Sequence, residues 1–342
     1  MNHNIISYNY PKSATINIEG LCNFKCNYCP YHSQTRTTYT EKNNYKISFD
    51  TAKEQIDILK SYGVKHINIC ATGEPFLNFD IFKIFKYIKN VGCTSSVLTN
   101  ASSVISKSLQ EIIDSDLLYF STDLDADNRE TFKEIQGRDQ FDAWYKNIES
   151  LNKLRKLNDN KMKIVVNTII NKDTFNELDG MLDICIDLGI DEWSLNVLVA
   201  EDSNDYINNI KSMRYERELV SSKIEKLKKR ANDNNIRLQS PEYFDINIDI
   251  YNDLECNKPW RESIMINVPL PNDEPGENIG RVVIGCTTNK SVEYNLGNIH
   301  KNTLEEIWNG SEFQRFRKNF IDGCDKECSD DCLYHKFTKK DN

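Results

Sequence analysis

The chain has 342 residues, 39% hydrophobic and 28% charged, with only 13 glycines and 8 prolines. This excludes a disordered, collagenous or low-complexity chain and leaves one large domain with an appendage or two modest domains. Lys and Arg total 43 against 52 Asp and Glu, a formal charge of -9, and such a field repels phosphate backbones, so nucleic acid is not an expected partner. No basic region followed by an apolar core opens the sequence, and no apolar run approaches the ~20 residues of a membrane span, so a cytoplasmic protein with no membrane partner is expected.

In chain order, strand-like segments fall at 14–18, 66–71, 95–99, 117–122, 163–169 and 192–198, each followed by helical periodicity, as at 49–62, 79–91 and 174–188. Six βα units with right-handed crossovers predict a parallel α/β sheet curling into a partial (β/α)6 TIM-like barrel, with the reactive site at the carboxyl ends of its strands. Segment 211–235 reads as one amphipathic helix through Leu219, Val220, Ile224 and Leu227, its alternating charges forming a solvated face. A small, loop-rich, cysteine-rich C-terminal domain follows. The expected division is a barrel at 1–210, a charged helix and linker at 211–240, and the tail domain at 241–342.

Eleven cysteines in a reducing compartment point to metal or redox chemistry over disulfides. Cys22, Cys26 and Cys29 stand just past the first strand, spaced C-x-x-x-C-x-x-C. Three ligands leave one iron of a [4Fe-4S] cube open, whereas a closed zinc site wants four, and His32 is the residue that could complete one. Five more cysteines, Cys256, Cys286, Cys324, Cys328 and Cys332, crowd the tail, a density suited to a domain stapled by metal, either a cluster or a zinc knuckle. Cys93 and Cys185 read as small buried apolar residues. His3, His66, His300 and His335 have no partner at recognisable spacing and read as ordinary surface or structural residues.

The cysteine spacing resembles the signature of the radical S-adenosylmethionine (radical SAM) superfamily, and further landmarks follow in order from about residue 13 to 332. Ala71-Thr72-Gly73-Glu74-Pro75 is similar to the family's Gly-Gly-Glu-Pro motif, its first glycine replaced, although Gly-Glu-Pro also makes an ordinary strand-to-helix turn. Thr99-Asn100 ends the third strand, Ser121-Thr122-Asp123 the fourth, and Asn167 lies in the fifth; Asn100 as a cap and Asp123 as a turn residue are the competing readings. Gly137-Arg138 reverses the family's Arg-Gly pair. Cys256 with Pro259-Trp260, then Cys286, Leu296-Gly297-Asn298-Ile299, Ile307-Trp308-Asn309 and the last three cysteines resemble the SPASM/twitch extension.

The resemblance implies that Cys22, Cys26 and Cys29 ligate a [4Fe-4S] cluster whose free iron chelates S-adenosylmethionine, and that reductive cleavage gives a 5'-deoxyadenosyl radical that takes hydrogen from the substrate. It implies SAM contacts at Tyr28, Ala71, Thr72, Gly73, Glu74, Asn100, Ser121, Asp123 and Asn167. It also implies one auxiliary [4Fe-4S] cluster on four of the five tail cysteines, and an electron donor such as flavodoxin or ferredoxin. Cys70, just before the SAM-binding turn, is a candidate hydrogen donor. The cluster motif begins at residue 22, leaving no room for an amino-terminal peptide-recognition domain. A small polar substrate is therefore expected, a sugar, aminocyclitol or glycan precursor undergoing oxidation or epimerisation, similar to the aminocyclitol dehydrogenase and epimerase branch. The competing readings are maturation of a ribosomally made peptide, and a non-catalytic iron-sulfur electron carrier.

Overall fold

Alternating small polar and β-branched residues form the parallel strands β1 (Ser13–Asn17), β2 (His66–Cys70), β3 (Thr94–Thr99), β4 (Tyr119–Asp123), β5 (Lys163–Ile170) and β6 (Glu192–Val197). They agree with the expected segments to within two residues. The computed structural model describes residues 5–7, 9–33, 44–198, 211–245, 247, 263–270, 273–274, 276–284 and 296–321. On these strands Ile16, Ile67, Ile69, Val97, Phe120, Ile164, Val166, Trp193 and Leu195 are buried. The intervening positions, Thr15, Asn68, Cys70, Ser121, Asp123, Asn167 and Ser194, point to the opposite face and form a mainly polar lumen.

The helices between the strands are α1 (Phe49–Ser61), α2 (Ile81–Asn90), α3 (Leu109–Asp114), α4 (Arg129–Gln136), α5 (Phe141–Leu157) and α6 (Leu178–Leu188). Their starts and stops follow local chemistry. Ser48 caps α1 by accepting from the Thr51 N–H, Asn128 caps α4 through the Thr131 N–H, and Gly189 ends α6 in the left-handed conformation. Two expected bounds are corrected. Phe79 lies outside α2 and is 91% exposed, because Asp80 takes the cap position. Residues 175–177 form a separate 3-10 turn before α6.

The charged segment, expected to be helical over 211–235, forms the shorter α7 (Arg217–Asp233), which buries Val220, Ser221, Ile224 and Leu227. Leu219, expected on that apolar face, is 54% exposed; the helix turns Ser221 inward instead. Its charged face is not simply solvated, since Lys223 pairs with Asp179 and Arg230 reaches Asp179 and Asp183 of α6 at 2.8 and 2.5 Å.

The linker and tail carry more regular structure than expected. Strands β7 (Arg237–Gln239), β8 (Ser263–Ile266), β9 (Arg281–Ile284) and β10 (Gly297–Asn298) are followed by helices α8 (Leu304–Trp308) and α9 (Ser311–Ile321). All ten strands form one sheet in the order β10-β9-β8-β1-β2-β3-β4-β5-β6-β7. β8 runs parallel beside β1, and β9 and β10 return antiparallel.

Asn267, just after β8, is buried with a φ of +64°. Its amide donates to the Asn17 carbonyl and the Gln55 side chain, and its Oδ1 accepts from Gln55 Nε2 and the Gly280 N–H, at 2.7–3.1 Å. Gln55 also meets His300, and His300 faces Glu54 at 3.1 Å; His300 is thus a structural residue whose Gln55 partner lies 245 positions away. His66 likewise bonds the hydroxyls of Thr94 and Ser96. Cys93 and Cys185 are buried, as expected.

Candidate active site at the barrel mouth

The loop after β1 is pinned from below by a helix end. Its Lys25 and Asn27 N–H groups donate to the Gln136 and Ile135 carbonyls at the C-terminus of α4, at 3.1 and 2.8 Å, satisfying acceptors that a helix leaves open. Gly137 ends α4 at φ +68°, and a Cβ there would lie 2.6 Å from the Lys25 carbonyl oxygen. Arg138 Nε donates to the Asn23 carbonyl at 3.2 Å. The reversed Gly-Arg pair thus supplies both a close approach and a clamp on the loop. Phe24 is buried edge-on against Phe132, with ring centroids 6.2 Å apart.

Cys22, Cys26 and Cys29 ride on this loop, with the Cys29 N–H turned back to the Cys26 carbonyl at 3.0 Å. Burial pushes the Cys22 thiol up to about 12 and Cys26 well above the usual thiol range, the neighbouring cysteines and carboxyls adding to the rise. Such a set ionises only against added positive charge, which fits an iron-bearing occupant. Among the described residues no three His, Cys, Asp or Glu side chains are gathered to hold a metal ion, so a closed zinc centre is not preformed. His32, the residue weighed for zinc, instead places Nε2 3.1 Å from the Thr72 carbonyl.

The turn after β2 is threaded under the same loop. The Gly73 N–H donates to the Glu19 carbonyl and the Glu74 N–H to the Leu21 carbonyl, at 3.1 and 2.7 Å. A Cβ on Gly73 would stand 2.0 Å from that Leu21 oxygen, which is why this position of the motif keeps its glycine. Ala71 and Thr72 lie half-buried beside it, and the Thr72 hydroxyl meets Tyr45 Oη at 3.1 Å. Glu74 is buried and accepts from Thr99 Oγ1, the Asn100 N–H and the Phe76 N–H at 2.7, 2.8 and 3.1 Å. Burial pushes its carboxyl up to about 7 despite these donors.

Four lumen groups complete the mouth. Burial, with Asp125 nearby, pushes Asp123 up to about 8, and Asn167 is its hydrogen-bond donor. Ser121 is half-buried one rung below. Cys70 ends β2, its thiol pushed up to about 11 by burial. Tyr28, expected near the adenine, donates its hydroxyl to Asp125 Oδ2 at 2.5 Å, while Asp125 Oδ1 accepts the Ile169 N–H at 2.7 Å. Asp125, Asn23 and Asn147 escape the sequence reading. Only Asp125 carried a signal, the second acid two residues after Asp123. Cys256, Cys286, Cys324, Cys328 and Cys332 lie outside the described residues.

A barrel of six parallel strands with three thiols on its first mouth loop and a buried glutamate beneath them defines a class of cofactor-bearing enzymes. The Radical SAM superfamily model matches residues 16–185, and a SPASM model, an iron-sulfur cluster-binding domain, matches residues 278–333. The chain belongs to the radical SAM superfamily and has a C-terminal SPASM domain. A [4Fe-4S] cluster with S-adenosylmethionine and auxiliary iron-sulfur binding come with these domains.

Streptococcus suis SuiB bound to S-adenosylmethionine has a similar fold, with a TM-score of 0.68 at 17% identity over 90% of this chain and 68% of that one. The AdoMet-bound anSMEcpe gives 0.64 at 16% over 96% and 91%. Among curated relatives, probable GTP 3',8-cyclases of Saccharolobus islandicus and Methanococcus maripaludis are 24% and 27% identical over 53% and 52% of this chain. The alignments span 54% and 56% of those proteins, about half their length. No helix among the described residues is long and apolar enough to cross a membrane.

Proposed function

We propose that this radical SAM enzyme removes a hydrogen atom from a small polar substrate, a sugar, aminocyclitol or glycan precursor, with net oxidation or epimerisation. The cluster and SAM, when bound, supply one-electron reductive cleavage and hydrogen abstraction. The chain supplies the holding and orienting groups. Cys22, Cys26 and Cys29 are the cluster ligands. Glu74, fixed by three donors, receives a cationic amino group, and Ser121, Asp123 and Asn167 offer polar contacts at the ends of β4 and β5. Tyr28 lies against the nucleoside base. In the tail, four of Cys256, Cys286, Cys324, Cys328 and Cys332 hold one auxiliary cluster, and a flavodoxin or ferredoxin is the expected reductant. The barrel, linker and tail divide at 1–210, 211–240 and 241–342.

The observation that carries the substrate class is the lumen itself. Beyond Ser121, Asp123 and Asn167, which turn to SAM, Asn68 and Ser194 add donors and acceptors to it, which match a hydroxyl- and amine-rich substrate. For epimerisation, Cys70 is the hydrogen donor on that face, its thiol held neutral by burial. A peptide substrate is the second reading, favoured by the fold shared with SuiB, which has been seen with its precursor peptide SuiA at 15% identity.

Anaerobic reconstitution should give about eight irons per chain if two cubes form, and the reduced protein should convert SAM to 5'-deoxyadenosine. Cys22→Ala should abolish that conversion. Deuterium carried into 5'-deoxyadenosine from labelled sugars or aminocyclitols supports the first reading, and transfer only from peptides supports the second. Good iron loading without SAM cleavage would leave an electron carrier. Unchanged turnover and stereochemistry in Cys70→Ala would remove that thiol from the chemistry.

A further inference from the structure

The turn after β3 does more than hold Glu74. Ala101 is buried with φ at +47°, an uncommon conformation for a residue with a Cβ. It is held there by Asn147 of α5, whose amide donates to the Ala101 and Ser102 carbonyls at 3.0 and 2.8 Å. The Ser102 N–H in turn donates to Asn100 Oδ1 at 3.0 Å. These bonds fix which way the Asn100 carboxamide faces. Its Nδ2 lies 2.9 Å from Asn23 Oδ1 and 3.8 Å from Cys22 Sγ. Asn23 is itself tied to Ser102 Oγ at 2.8 Å. Cys22 Sγ also accepts the Phe24 N–H at 3.3 Å.

We propose that Asn100 is a positioning residue that tunes the cluster through an N–H···S bond to Cys22 rather than a direct SAM contact. The proposal rests on the reading of Cys22 as a cluster ligand. Hydrogen bonds to ligand sulfur stabilise the reduced, more negative state of an iron-sulfur cluster and raise its potential. The same residue's backbone N–H holds Glu74 Oε2. One short turn therefore ties the thiolate to the carboxylate that receives the SAM amino group.

The test is an EPR-monitored redox titration of the full-length reconstituted protein, following the reduced-cluster signal that changes when SAM is added. In Asn100→Ala the potential of that signal should fall below wild type at unchanged iron content. Asn100→Ser keeps an oxygen for the Ser102 N–H but is too short to reach sulfur, and should show the same fall even where the alanine variant fails to load. A SAM-responsive signal with wild-type potential in whichever variant loads overturns the tuning role alone. If neither variant retains a cluster, Asn100 is needed to build the site rather than to tune it, and the proposal fails. A wild-type signal indifferent to SAM overturns the reading of the site, and the tuning role with it.

Discussion

Asp123 is a carboxyl kept protonated by its surroundings. Its folded pKa of about 8 stands well above the ~4 of an unfolded aspartate. Without cofactor, the folded chain therefore holds a proton that the unfolded chain gives up as pH rises through 4. By linkage, the contribution of this carboxyl to stability is full below about 4 and declines as pH rises toward 8, where the group must ionise in place. The urea midpoint of the metal-free protein should fall across that window, and Asp123→Asn should flatten the decline. A pH profile identical to wild type in Asp123→Asn would contradict the buried acid. Gly73 gives a second test at this scale. An added methyl 2.0 Å from the Leu21 oxygen must displace the backbone, so Gly73→Ala should cost about 1–3 kcal/mol. It should also weaken SAM binding by calorimetry, because Glu74 is the next residue.

Among the elements, the turn of residues 99–102 depends on α5 more than on its own sequence. Asn147→Ala leaves two buried carbonyls without their shared donor, and such losses cost about 1–3 kcal/mol each. We expect a lower thermal midpoint and faster amide exchange at residues 100–102, while exchange in β5 and β6 stays near wild type. Such contacts show where sequence reasoning stops. The six strands and the cysteine triad are legible because their signals are local, a two-residue alternation and a fixed spacing. Asp125 acts on Tyr28 across 97 positions of chain, and Asn147 on Ala101 across 46, separations at which no periodicity marks a partner. Leu219 is misread for a related reason. Helical spacing allows it on the buried face, but the ion pairs of Lys223 and Arg230 with α6 accompany an orientation that leaves it outside.

At the scale of the whole molecule, the tail joins the barrel sheet. Density of cysteines suggests a separate stapled domain, and nothing in a tail segment announces that it will lie parallel to a strand some 250 positions earlier, as Ser263 does with Ser13. Asn267 is where this junction concentrates. Removing its side chain breaks bonds to Asn17, Gln55 and Gly280 and leaves a buried N–H and carbonyl unpaired. Asn267→Ala should therefore lower stability by about 2–5 kcal/mol in urea titration, and Asn267→Gly should recover part of the loss, since glycine tolerates the positive φ.

Because β8 covers the flank of β1, clipping the polypeptide between them would lay bare a row of amide and carbonyl groups along the first strand. An uncovered margin of that kind recruits other chains. Limited digestion that releases the end of the protein should consequently yield sticky, self-associating material instead of a trimmed and orderly catalyst.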